Sequence, residues 1–221
     1  MTARVLSVNS VYAIRDDPLG DVGRTAIDKR PVTEPVMLLP EGPAGDIVMD
    51  RTHHGGFDQA VYAYAVEDLR VWAKQLGRDL PAGTFGENLT TEGLDVTGAV
   101  IGSVWSIGQA RLQVRSHRTP CSTFQAWIGE PHWVRRFTEH GAPGAYLKVL
   151  TSGDVQADDT VVVESVPTHG VTIGELFRGR RGDRTTLSRL LAEPDLADDV
   201  VQYLHSELAV GSGPGAVRSQ Q

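Results

Sequence analysis

A single cysteine, Cys121, stands in 221 residues. No internal disulfide can form and no protein-only zinc–thiolate cluster can be built, which fits a reducing cytoplasm. If Cys121 has a chemical role, it acts alone. Long apolar runs are missing as well: stretches such as Val161-Val162-Val163 have the length of a strand, far short of a membrane span. The opening residues carry no apolar leader, so no signal peptide is expected. Positive charge is in deficit, with 21 Lys and Arg against 28 Asp and Glu and a net charge of -7. Coating a nucleic acid needs a basic surface, so nucleic acid is not an expected partner, although a local basic pocket is compatible with an acidic chain. A dinucleotide-binding glycine pattern, a P-loop and a Gly-x-Ser-x-Gly elbow are all absent, as are internal repeats. What remains is a soluble cytoplasmic chain of ordinary composition, 40% hydrophobic and 22% charged. It is long enough for one sizeable domain and a small appendage.

The pattern along the chain is mainly β. Val5 to Val8 reads as an opening strand, residues 15 to 24 as a loop, and Lys29 to Val32 and Val36 to Leu39 as extended segments. Val61, Ala65, Leu69, Trp72 and Leu76 fall three or four apart, which predicts a helix from Ala60 to Leu76 stopped at Gly77. That stripe is more simply a packing face than a cofactor box. Short β runs punctuated by glycine follow between Phe85 and Val163: Val100 to Gly102, Ala110 to Val114, Ala145 to Leu150 and Thr160 to Val166. A short helix is expected from His132 to His140. After Pro167 the pattern turns to three short amphipathic helices, at 171–177, 186–192 and 196–209, with Thr172, Thr185 and Asp195 at or near their caps. The expected organisation is a β domain over 1–167, a three-helix module over 168–210 and a flexible tail over 211–221.

Four stretches carry candidate chemistry: Lys29 to Val32; Gly45-Asp46 with Arg51 and His53-His54-Gly55-Gly56; Gly83-Thr84-Phe85-Gly86-Glu87-Asn88; and Arg115 to Cys121. Gly-rich turns expose backbone N–H groups and allow a ligand to come close. Lys29, Arg51, Arg115 and Arg118 suit phosphate, the arginines best because their fork can bind bidentately. Cations beside a cysteine favour its thiolate, a soft ligand for a thiophilic metal. Together these residues suggest an anionic ligand beside an activated sulfur. Plainer readings stand beside each of them. A lone cysteine is more often a small buried hydrophobe, the paired histidines and Thr84 and Asn88 fit ordinary turns, and Lys29 and Arg30 fit a solvated edge. Neighbouring histidines on a strand cannot easily share one zinc. A Cys121–His117 nucleophilic pair would need a turn, since four residues of strand span over ~13 Å.

Read in order, the motifs resemble the MOSC domain, named for the C-terminal domain of molybdenum cofactor sulfurase. They are Lys29-x-Pro31-Val32, Gly45-Asp46, His53 to Tyr64, Phe85 to Leu89 with Gly93-Leu94, Ile101-Gly102, Arg118-x-Pro120-Cys121, and Gly144-Ala145-Tyr146 with the Val161 strand. The likeness covers about residues 20 to 165, and the helical tail from Val171 to Phe177 onward resembles that of the bacterial YiiM group. Three departures stand out. Gly42-Pro43-Ala44-Gly45-Asp46 replaces Gly-Leu-x-Gly-Asp, Asp58-Gln59 replaces Asp-Lys, and Asp158-Asp159 stands where Gly-Asp is common.

The resemblance implies a β-barrel-like core with a few helices and a small C-terminal all-α module. It implies a molybdenum–molybdopterin cofactor with Cys121 as protein ligand to the metal. Lys29, Arg51, Gly55, Gly56, Thr84, Asn88, Arg118 and Tyr146 would surround the cofactor, and His53, His54 and Glu87 are candidate proton donors. The implied activity is two-electron reduction of N-hydroxylated small molecules, such as hydroxylaminopurine-type bases. With no flavin, haem or iron–sulfur motif in the chain, electrons would come from a flavin-dependent reductase. A non-catalytic cofactor or sulfur carrier is the alternative. A homodimer is a further expectation that the sequence leaves open.

Overall fold

The computed structural model describes residues 2–49 and 55–180, together with residues 189, 191, 192, 201, 202 and 205. Its strands are β1 Arg4–Asp16, β2 Arg24–Pro31, β3 Val36–Leu39, β4 Gly42–Pro43, β5 Val61–Ala65, β6 Leu89–Glu92, β7 Val104–Ile107, β8 Ala110–His117, β9 Ala145–Thr151, β10 Gly153–Val155 and β11 Val161–Ser165. Its helices are α1 Val66–Leu76, α2 Ser122–Ile128, α3 Trp133–His140 and α4 Ile173–Arg180. Eight strands form one sheet in the order β11-β7-β8-β9-β5-β6-β1-β2, and β10-β3-β4 form a second, small sheet. The mainly β reading stands. Among the described residues, no helix is long and apolar enough to cross a membrane.

The sheet rolls as a barrel does, but among the described residues it does not close completely. The start of β11 does return to the start of β1, through a bridge between Arg4 and Thr160 and backbone bonds from Val5 N to Asp159 O and from Val161 N to Ala3 O, both 2.9 Å. The ladder then stops. β1 is far longer than Val5 to Val8, and its second half leaves the rolled wall through irregular register to pair with β2 as an outer hairpin. Asp158, where the family pattern has glycine, sits at φ 70 in the left-handed region that aspartate tolerates better than most residues.

The helix expected from Ala60 begins only at Val66, because Val61 to Ala65 is strand β5. All five of its residues are buried, and they alternate between two cores. Val61, Ala63 and Ala65 face an aliphatic interior with Val5, Val8, Leu89, Leu112, Val114 and Leu147. Tyr62 and Tyr64 face an aromatic layer with Phe85, Trp72, Phe124, Trp133 and Phe137. A strand covered on both faces needs no polar side, so the small/aromatic alternation rather than the helical stripe decides its form. β5 and β6 pair in parallel, with α1 as the crossover between them. Helix α1 buries Leu69 and Trp72 and ends at Gly77 in the left-handed conformation, whose N–H bonds Ala73 O.

The Val100 to Gly102 segment is a bridge and turn rather than a strand. Thr172 caps α4 as expected: Thr172 Oγ1 accepts from Glu175 N at 3.2 Å, while Glu175 Oε2 accepts from Thr172 N at 3.0 Å. Helix α4 belongs to the main body, since Val171, Ile173 and Leu176 join the aliphatic interior and Phe177 the aromatic layer. Most of the segments expected as helices at 186–192 and 196–209, and the tail beyond, lie outside the described residues.

Candidate functional site

A cleft of about 180 Å³ opens at the junction of β2, the loop after β4, β5, the turn before β6, and the segment between β8 and α2. A single water needs roughly 10–15 Å³ on the same measure, so the cleft has room for an organic molecule. Lys29, Asp46, Gly55, Tyr62, Asn88, Arg118, Cys121 and Tyr146 all line it. They come from sequence positions more than a hundred residues apart, and β5 is the element that joins them.

Asn88 is fixed first. Its backbone N–H bonds Tyr62 O at 2.8 Å, its carbonyl accepts from Asn9 N at 2.7 Å, and its Oδ1 accepts from Tyr62 N at 3.1 Å. The amide that remains, Nδ2, donates to Asp46 Oδ2 at 2.7 Å. Lys29 Nζ reaches the same oxygen at 2.6 Å, in an ion pair whose side chains are 12% and 8% exposed. Burial pulls the Lys29 ammonium below its ordinary range, and Asp46 works against that shift.

Beneath this group Glu87 is fully buried. Its Oε1 accepts from Gly83 N at 2.6 Å and Thr90 Oγ1 at 2.8 Å, and its Oε2 accepts from Phe85 N at 2.9 Å. Burial pushes this carboxyl up, and the same three donors hold it back. The turn it fastens needs glycine at position 83: φ is +86, and a Cβ there would lie 2.4 Å from Lys29 O. Glu87 therefore braces the backbone behind Lys29 and does not line the cleft.

On the opposite side Arg118 is buried against aromatic rings. Its guanidinium lies 4.0 Å from the Phe124 centroid and 5.3 Å from that of Tyr62, and Nη1 donates to Phe85 O. Burial opposes its charge, but the neighbouring Tyr62, Tyr146 and Cys121 more than offset that and raise its affinity for the proton. Cys121 is partly exposed in the cleft and immediately precedes α2. The Tyr146 ring packs 5.2 Å from that of Tyr62. Burial pushes the Tyr146 phenol up, while Arg118 pulls it down. Asp17, 3% exposed, accepts from Thr123 Oγ1 and so ties the 17–23 turn, one lip of the cleft, to α2.

Of the residues expected from sequence, Lys29, Gly55, Asn88, Arg118, Cys121 and Tyr146 meet in this cleft. Gly56, Thr84 and Glu87 are not among its lining residues. Gly56 precedes a 3₁₀ turn over Phe57–Gln59, and Thr84 bonds Pro81 O through Oγ1 and accepts from Trp127 Nε1 at 2.7 Å. Arg115 is buried instead against Asp58, with Nε 2.9 Å from Oδ1. His117 ends β8 with its ring 4.9 Å from that of Phe177. Arg51, His53 and His54 lie outside the described residues. Among the described residues, no group of three or more His, Cys, Asp or Glu could hold a metal ion by itself. Sequence reasoning gave no role to Asp46, Asp17 or Tyr62. The Gly45-Asp46 motif and the alternation of β5 were the available signals.

The architecture is a strand-rich sheet rolled around an aliphatic interior, with a cleft of mixed charge and one thiol on its aromatic side. The model of the MOSC domain matches residues 50–162, and the chain belongs to that family. It is 33% identical over 177 residues to YflK of Bacillus subtilis (strain 168), covering 79% of this chain and 80% of that protein. It is 27% identical over 184 residues to a protein named Reductase in Gibberella moniliformis (strain M3125 / FGSC 7600), covering 81% of this chain but 32% of that longer protein. In fold it is similar to the crystal structure of YiiM from Geobacillus stearothermophilus. There the TM-score is 0.74 at 24% identity, over 93% of this chain and 99% of that one.

Proposed function

We propose that the cleft binds a molybdenum–pterin cofactor through Cys121 and that the protein reduces N-hydroxylated small molecules. Electrons would come from a flavin-dependent reductase. The observation that carries this reading is the convergence of Cys121, Arg118, Tyr146, Asn88 and Lys29 on one cleft with room for an organic ligand. The residues fit such a group. The thiol is partly exposed to the cleft, Arg118 stands beside it for an anionic substituent, and one buried acceptor across the cleft, Asp46 Oδ1, has no hydrogen-bond partner among the described residues. The name of the fungal relative, Reductase, supports a redox role.

When bound, the cofactor supplies a two-electron redox centre suited to removing oxygen from nitrogen. Cys121 would hold its metal as thiolate. Arg118 is held flat against Phe124 and by Phe85 O, so it would meet an anionic oxygen with little loss of side-chain freedom. Lys29 and Asn88 are already braced through Asp46 and would fix the opposite end. The aromatic wall behind Tyr62 and Tyr146 excludes water from one side and strengthens these charge contacts.

The test is elemental analysis with pterin fluorescence on wild type and Cys121→Ala, both expressed in a host that makes the cofactor. Near-stoichiometric molybdenum in the wild type and none in the variant is the expected result, followed by turnover of hydroxylamino substrates. Equal, negligible molybdenum in both, with a control enzyme loaded in the same host, would overturn the reading.

A further inference from the structure

The donors around Asp46 are distributed unevenly. Lys29 Nζ and Asn88 Nδ2, at 2.6 and 2.7 Å, both serve Oδ2. Oδ1 is enclosed and has no hydrogen-bond partner among the described residues. A carboxylate has acceptor sites on both oxygens, and an enclosed acceptor without a donor is costly enough that native structures hold few of them. Asp46 lines the cleft, and the last torsion of an aspartate is soft. A small turn about that torsion brings Oδ1 toward a bound molecule, and because Oδ2 moves with it, the flexible Lys29 side chain follows to keep its contact.

The chemistry of the complement follows. Lys29 already answers the negative charge, so a second cation is not required. A phosphate placed here would meet like charge. What fits is a neutral N–H donor, and two adjacent donors on a flat ring fit best because they match a carboxylate edge. Beside Asp46 the cleft has the side chains of Ile27, Ile47, Val48, Met49 and Tyr62 as flat or apolar walls, which suits a planar heterocycle.

We propose that Asp46 is a specificity-determining residue whose Oδ1 accepts an N–H from a flat nitrogen heterocycle bearing an amino group beside a ring N–H. Lys29 and Asn88 act through it as positioning residues. A 2-amino-4-oxopteridine and a guanine base both present that edge, the first as part of a cofactor and the second as a substrate. The inference rests on this cleft being the ligand site, and it draws on the cofactor reading only for the pteridine probe.

The test titrates the purified full chain by fluorescence with pterin and with lumazine, which carries oxygen in place of the 2-amino group. Guanosine and inosine, which differ only by the 2-amino group, are then added as competitors. Tighter binding of the amino member of either pair, by roughly ten-fold or more, is expected in the wild type and should disappear in Asp46→Asn. Selectivity in the pteridine pair assigns the edge to the cofactor, and selectivity only in the nucleoside pair assigns it to a substrate base. Equal affinities within both pairs, no measurable binding of any of the four, or selectivity that survives in Asp46→Asn would overturn the proposal. If Asp46→Asn does not fold, as judged by circular dichroism, the two wild-type comparisons decide alone. The probes contain no metal, so a failure of molybdenum loading and a failure of this inference are separate results.

Discussion

The two faces of β5 support two different kinds of core. On the inner face Val61, Ala63 and Ala65 meet valines and leucines from the rolled sheet, and that core only has to be filled. On the outer face Tyr62 and Tyr64 join an aromatic layer that includes Trp72, Phe124, Trp133 and Phe137, and each tyrosine keeps a polar handle. Tyr62 Oη donates to Pro143 O at 2.8 Å and Tyr64 Oη to Ala142 O at 3.0 Å. Aromatic faces also hold a buried guanidinium, as they do for Arg118, where an aliphatic wall would offer it no partner. The cleft lies on the aromatic side, where the packing that stabilises the fold also carries the charge of Arg118.

The sharpest way to break this comparison is to remove one large side chain from each core. The Phe85 ring lies 5.0 Å from Tyr64, 5.2 Å from Phe124 and 5.6 Å from Trp133, and its carbonyl receives Arg118. Phe85→Ala should cost about 3–5 kcal/mol of stability and Leu112→Ala about 2–5 kcal/mol, both read by urea denaturation. Only Phe85→Ala should also weaken pterin binding per folded molecule. Equal weakening by both would show that the two cores do not divide packing from function.

A smaller effect is expected where charge is kept and shape is changed. Arg118→Lys retains the cation but loses the plane that stacks on Phe124. Affinity for an anionic pterin should fall by roughly ten-fold, as for the loss of one charge-assisted hydrogen bond, with stability changed by about 1 kcal/mol. Isothermal titration of both proteins checks this. Unchanged affinity would mean that Arg118 serves the wall rather than the ligand.

The parts of the site that were legible in the sequence are those whose signal is local. Arg118 and Cys121 are three apart, and Lys29 and Asn88 sit in compact motifs, so their shared cleft agrees with a reading made from short stretches. Glu87 reads as a free acid only until its donors, Gly83, Phe85 and Thr90, are seen to consume it. That accounting depends on a turn geometry which residue type alone does not specify. Asp17 was out of reach for another reason, because its partner Thr123 lies 106 residues away. The helix expected at Ala60 failed because a stripe of period four continues by chance from strand β5 into α1. Only the burial of both strand faces breaks the tie. The rolled sheet was legible as a class, while its incomplete closure depends on backbone bonds near Asp158 and Asp159 that no side-chain pattern announces.

The mildest test probes the wet margin of the aromatic side. Asp68 lies in the first turn of α1, one residue before buried Leu69. Burial, then Asp95 and Glu67, push its carboxyl from 3.8 to about 6. A folded-state value above the unfolded one means that the protonated form favours folding. That contribution is complete below about pH 4 and is lost as pH rises through about 6. Asp68→Asn should therefore match wild type near about pH 3.5 and be the more stable of the two near about pH 7.5. At face value the displacement corresponds to about 3 kcal/mol, but the side chain is partly open to water, and screening reduces the expected gain to about 1 kcal/mol. Thermal melts of both proteins across this range check the sign. A variant less stable than wild type at the upper pH would mean that the charged carboxylate helps α1, as an N-terminal acid can through the helix dipole, and that its burial among other acids is outweighed.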